Sequence, residues 1–373
     1  MARAACGVSP RSAKAQTKGE ALFGELAVAY LFLAGVGAGG IAAASLADLF
    51  FVRAPFGEEA TVSVAEAAPA ERLAAFVFAV SMGALALGVA CLLLDLGRID
   101  RVTSLFLSAK LTLMNVGAWS LATLLAVGAA LTLVRFMYLP AMGRTVVTVL
   151  EVAAVVLAAV VAVYAGLLLQ TLPGVRLWES PCVPVLFVLS AASCGCALVC
   201  GASLFAECDE AVVALARVVA SVDLVVVLAE AVAAALFLGF AASSGHPGVQ
   251  ASAENLLHGS AALGWWVGFV LCGLIVPLAC ECVLWARWRN HQESARATPV
   301  AAIAVVAAFV LVGGVSLRWS VVEAGEHRPL ELQAVAATGS DAERASDVPA
   351  EAFAPSSPPI LSAHSIQGGL PLC

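Results

Sequence analysis

Apolar residues in this chain come in eight long stretches, at about 23–50, 73–96, 108–134, 145–170, 183–205, 211–242, 256–285 and 300–320. Each is long enough to cross the hydrocarbon core of a bilayer, which takes roughly 20 residues at helical rise. No water-soluble fold could hide so much apolar surface. Of the 373 residues, 62% are hydrophobic and only 12% charged, whereas an ordinary soluble domain is about half apolar and about a quarter charged. Lipid is therefore the solvent, and within it helices satisfy every backbone polar group internally. The expected fold is an all-α polytopic integral membrane protein of about eight transmembrane helices.

Most connections between the stretches are short and marked by Pro, Gly or charge, as in Leu96-Gly97-Arg98 and Leu172-Pro173-Gly174. Two four-helix bundles are expected, over 23–170 and 183–320, with the boundary near Trp178. A polar N-terminal segment, 1–22, precedes them, and the apolar run after it is too long for a signal-peptide core, so it reads as a retained first helix. The tail, 323–373, is rich in Ala, Ser, Pro and acidic residues and lacks apolar periodicity, which predicts disorder. Eight crossings place the loops 97–107, 171–182 and 243–255 on the same face as the chain ends, here termed the terminal face. Lys and Arg divide almost evenly between the two faces, so charge bias does not set the orientation.

The net charge of −7 and a set of only three lysines, Lys14, Lys18 and Lys110, argue against nucleic-acid binding. Most of the eleven cysteines lie inside apolar runs without C-x-x-C spacing and read as small packing residues. His246, His291, His327 and His364 lie outside the runs and His258 sits at the start of one. A di-haem core needs histidine ligands within the membrane, so none is expected in this chain.

An ionised side chain near the bilayer centre needs a partner, a cavity or a task. Asp223 and Glu230 stand out, seven residues apart on one face of the sixth stretch. They are either held by interhelical hydrogen bonds or arginines, or part of a proton path. A second pattern emerges when each helix is traced in its direction. Glu25, Tyr30, Asp95, Lys110, Asn115, Trp119 and Tyr164 all fall toward the terminal face, where Arg98, Asp100, Arg101 and Glu179 lie in loops. Interfacial enrichment accounts for Trp178, Trp265 and Trp266. It accounts less well for carboxylates, an amide and two phenols among the first four helices. A cavity there, apolar in its walls and polar at a few points, suits a quinone, whose ring oxygens need donors and whose tail needs an opening to lipid. Quinol oxidation releases two protons, so an acid or base must stand within reach, and Glu25, Asp95, Tyr164 and Lys110 are the candidates. Gly35, Gly37, Gly39 and Gly40 follow no strand and read as helix-packing residues, not a nucleotide loop.

Taken in order, several segments resemble the NrfD or polysulfide reductase membrane-subunit family over nearly all of 25–325. They are Y-L-F-L-A-G-V-G-A-G at 30–39, L-L-L-D-L-G-R at 92–98, M-N-V-G-A-W-S-L at 114–121 and Y-A-G-L-L-L-Q-T-L-P-G-V-R-L-W at 164–178. Later pieces are P-V-L-F-V-L-S-A at 184–191, the helix with Asp223 and Glu230, G-L-I-V-P at 273–277 and G-G-V-S-L-R-W at 313–319. The resemblance implies a subunit of the cell (inner) membrane that takes menaquinone or ubiquinone as a diffusible substrate and holds no metal of its own, neither haem nor iron–sulfur cluster. It also implies a four-cluster iron–sulfur ferredoxin-like partner and a molybdopterin or multihaem catalytic subunit. By matching position, Asp95, Gly97 and Arg98 border the quinone pocket; Tyr30, Lys110, Asn115 and Trp119 are further binding candidates from their depth toward the terminal face. Two positions depart from the family pattern: Ile99 stands where proline is usual, and Asn115 where serine is common. No histidine lies near the first helix, so Glu25 or Tyr30 would supply the polar contact there.

On this reading Tyr164, Asn115 or Lys110 bonds a ring oxygen, and Glu25 or Asp95 takes the protons. Asp223, Glu230 and Arg318 form a second polar chain that conducts protons or locks helices. The rival readings are a secondary transporter and a membrane anchor without quinone chemistry.

Overall fold

The computed structural model describes residues 10–52, 69–96, 112–137, 143–171, 175–203, 205, 209–290 and 300–326. All regular structure among these residues is helical. In chain order the helices are α1 (Pro10–Ala47, continued by a π-helical turn Asp48–Val52), α2 (Pro69–Leu96), α3 (Leu113–Met137) and α4 (Arg144–Gln170). Then follow α5 (Cys182–Ala202), α6 (Glu210–Ser243) and the short α7 (Pro247–His258). α8 is π-helical over Gly264–Ile275 and α-helical over Val276–Asn290, and α9 covers Val300–Glu326. Among the described residues eight helices are long and apolar enough to cross a membrane. The chain is thus an all-α polytopic membrane protein, as its apolar stretches require.

The seventh stretch differs from expectation. In place of one helix from 256, the chain forms α7 with Pro247 in its first turn, then breaks at Gly259. Asn255 explains the break: its Oδ1 accepts from the Ser260 backbone N–H at 3.0 Å, replacing a helical partner with a side-chain one. The fifth helix stops at Ala202, short of 205, where the Ser203 hydroxyl donates back to the Cys200 carbonyl at 2.6 Å. The last helix instead runs past 320 to Glu326. Its end is held by Trp178, whose indole N–H donates to the Val321 carbonyl at 2.8 Å while its ring covers Gly325. The third helix is described from Leu113, and the expected start at 108 lies outside the described residues, as does the tail 327–373.

Small residues let these helices approach closely, the usual device where lipid removes the hydrophobic drive for association. α1 and α2 run antiparallel with Gly37 against Leu85 and Gly88 against Leu33 and Ala34. α8 and α9 repeat the pattern with Gly264 on Trp319, Gly268 on Ser316 and Gly273 on Gly313. The tightest crossing is between α1 and α5, where Gly39 abuts the Ala191 carbonyl and Gly195 abuts the Gly39 carbonyl. A methyl group on either glycine would occupy the partner's backbone. α1 packs on α2 and α4 and also on α5 and α9, so it lies between the helices of the two expected groups. Outward faces carry exposed apolar side chains such as Val149, Val156, Val225 and Leu236, as contact with acyl chains demands.

Candidate functional site

At the terminal end of the first four spans, Tyr30 of α1 is buried, and Tyr164 of α4, partly buried, is its electrostatic neighbour. The Tyr164 ring lies directly on Gly117 of α3, in the space that any larger residue there would fill. Two residues earlier Asn115 is buried in the first turn of α3. That turn is set by Thr112, whose hydroxyl accepts the Asn115 N–H at 3.3 Å in the manner of an N-cap. Asp95 stands in the last turn of α2 on the same side, and its buried Oδ1 has no hydrogen-bond partner among the described residues. The structure therefore seats Tyr164 on Gly117 with Tyr30 as its neighbour. It does not bring in Glu25 or Trp119, whose side chains are exposed on α1 and α3. Arg98 and Lys110 lie outside the described residues.

A second polar group occupies the core of the later spans. Arg318 of α9 is 1% exposed and is held on three sides. Its Nε donates to the Leu31 carbonyl of α1 at 3.1 Å, and its Nη1 donates to Ser190 Oγ of α5 at 3.0 Å and to the Gly314 carbonyl at 2.8 Å. The guanidinium also lies over the rings of Phe187 and Phe32, 5.3 and 5.9 Å from their centroids, and Gly35 leaves room for Nη2. Ser190 in turn faces Glu230 of α6, so the hydroxyl stands between a cation and a carboxyl. A narrow void lined by Ser190, Ser193, Glu230, Phe269 and Gly313 adjoins it. Asp223, two turns along α6, is buried beside Ser193 and within hydrogen-bonding reach of Glu281 on α8. Asp223, Glu230 and Arg318 thus belong to one buried polar set, and Glu281 joins it without having stood out in the sequence.

A third group, also missed by sequence reading, lies at the opposite end of the first four spans. Arg135 at the end of α3 donates through Nη2 to Asp48 Oδ2 at 2.9 Å and to Glu151 Oε1 of α4 at 2.7 Å. Arg144, partly exposed at the start of α4, reaches the same Asp48 oxygen at 2.9 Å. Asp48 and Glu151 are fully buried and Arg135 nearly so, with its guanidinium 4.8 Å from the centroid of Phe78. The π-helical turn of α1 begins at Asp48, an irregularity often found where a side chain must be presented inward. The signal available in the sequence was opposite charges at matching depth: Asp48 and Arg135 close two helices, and Glu151 opens a third, all at one membrane face.

The described histidines stay outside the spans. His246 is exposed, with Nε2 3.2 Å from Arg176 Nη1, and His258 is exposed at the end of α7. Cys194, Cys196 and Cys200 are buried, unpaired thiols along α5.

Eight apolar helices enclosing a few buried ionisable groups define a polytopic membrane protein. The chain belongs to the polysulphide reductase NrfD family, whose model matches residues 14–329, nearly its whole length. Members of this family are membrane subunits of respiratory oxidoreductases, associated with the quinone pool and paired with iron–sulfur and catalytic subunits, which gives this chain the part of a membrane anchor. None of the curated proteins compared with it matches.

Proposed function

We propose that the chain is the quinone- or quinol-handling subunit of a multi-subunit respiratory oxidoreductase in the cell (inner) membrane. It exchanges electrons between menaquinone or ubiquinone and a docked four-cluster iron–sulfur subunit, which serves a molybdopterin or multihaem catalytic subunit. The observation that carries this reading is the neighbouring Tyr30 and Tyr164, the latter seated on Gly117, inside otherwise apolar helices. Buried Asn115 and half-buried Asp95 stand at the same end of the bundle. Phenols and an amide can donate to the ring oxygens, and Asp95, whose Oδ1 lacks a donor among the described residues, can accept a proton released on oxidation. Arg98 and Lys110 are assigned to the same site by sequence alone.

The test is quinol-linked turnover by the whole complex carrying Asp95→Ala, measured beside its activity with artificial electron donors. Depressed quinol oxidation with the second activity intact supports the reading, and unchanged quinol oxidation removes Asp95 from the chemistry. An adjacent reading frame with four ferredoxin-type cysteine clusters separates this function from solute transport.

A further inference from the structure

Asp223 and Glu281 differ from the other buried carboxylates in what surrounds them. Asp48 and Glu151 have the Arg135 guanidinium between them. Glu230 faces Ser190, which is bonded to Arg318. Asp223 and Glu281 face each other, 3% and 4% exposed, and no cation among the described residues makes an ion pair with either. The other groups around them are the Ser193 hydroxyl and the Cys196 and Cys200 thiols of α5, with Glu230 two turns away on α6. Asp223 Oδ1 and Glu281 Oε2 are buried, and no donor among the described residues reaches them.

Two adjacent carboxylates in a water-poor, uncompensated setting resist carrying charge together, because desolvation and mutual repulsion act in the same direction. An ionised carboxyl only accepts hydrogen bonds, so the contact between them is itself attractive only when one of the two is a donor. We propose that Asp223 and Glu281 form a proton-binding site in the later spans, holding one proton between two carboxyls. On binding, an O–H bond forms at one carboxyl and is shared with the other, and the pair's charge rises from minus two to minus one. On release that bond breaks and the proton passes to water or to a neighbouring acceptor. The site is separate from the tyrosine pair of the earlier spans and stands whether or not quinone binds there.

The test uses the purified full chain and dicyclohexylcarbodiimide, an apolar reagent that attacks protonated carboxyls in apolar surroundings, with adducts located by peptide mass spectrometry. The expected result is an adduct on Asp223 or Glu281 whose yield falls as pH rises and does not change when sodium replaces potassium. In Asp223→Asn the pH at which half of the Glu281 adduct is lost should move down by about one unit, since the remaining carboxyl keeps its burial but has lost the like charge beside it. Asp223→Ala is read in the same way and carries the test if the asparagine variant does not fold. Absence of adducts at both positions, an unshifted pH profile at Glu281 in these variants, or protection by sodium each overturns the proposal. Protection by sodium identifies a metal-cation site instead. Neither quinone nor partner subunits enter this measurement, so its failure is distinct from failure of the quinone reading.

Discussion

Arg135 and Glu151 meet at 2.7 Å at the end of the bundle opposite the tyrosine pair, and the same guanidinium nitrogen binds Asp48 at 2.9 Å. One cation thus ties the ends of α1 and α3 to the start of α4. Replacing it by methionine strips Glu151 of its ion pair and leaves Asp48 with Arg144 alone. Arg135→Met should cost about 3–5 kcal/mol, the usual penalty for breaking a buried pair from one side. Thermal unfolding of the purified chain in detergent measures it, and a midpoint equal to that of the wild type would show that the cluster contributes nothing to stability.

Gly39 and Gly195 set the distance between α1 and α5. Gly39→Ala pushes a methyl group into the Ala191 carbonyl, and backbone cannot yield as a side-chain tip can. A loss of at least about 1–3 kcal/mol is expected. Gly83, with nothing within 4 Å of an added methyl, is the matched control: Gly83→Ala should unfold at the wild-type temperature or slightly above.

Gly117 links packing to the proposed quinone site. An alanine there displaces the Tyr164 ring without altering any polar group. If Tyr164 donates to a ring oxygen, Gly117→Ala and Tyr164→Phe should both lower quinol kcat/KM by roughly five- to tenfold, the worth of one neutral hydrogen bond. A drop in Gly117→Ala with none in Tyr164→Phe would assign the effect to shape rather than to the phenol.

Trp178 fastens the connection after α4 to the end of α9. Trp178→Phe removes the donor to the Val321 carbonyl while keeping most of the apolar contact, so a loss of about 1 kcal/mol is expected. Hydrogen exchange of the last turn of α9 should rise in this variant, and unchanged protection would show that the ring alone holds it.

The fold was legible because apolar run length is a direct physical requirement of the bilayer, and each of the eight runs became a helix long enough to span it. Bounds slipped where a single side chain redirected the backbone, as Asn255 does before Ser260 and Ser203 does after α5. Asp223 and Glu230 were visible as a pair because helical periodicity alone puts them on one face. Glu281 was not, since its meeting with Asp223 depends on how α8 packs against α6. Asp48, Arg135 and Glu151 were hidden for a similar reason: each lies near a helix end, where a charge ordinarily meets the headgroup region, and only the tertiary fold turns all three inward. Glu25 and Trp119 shared the depth of the tyrosines, but depth carries no information about rotation about the helix axis, and both face outward.

The Arg318 side chain reaches from the final span to the Leu31 carbonyl in the first. During synthesis the opening helix must therefore wait in the bilayer while all the others are inserted before it acquires this neighbour. The contact between these two helices therefore forms only once α9 is in place. A chain cut before α9 is expected to be a substrate for membrane proteolysis rather than a smaller functional anchor.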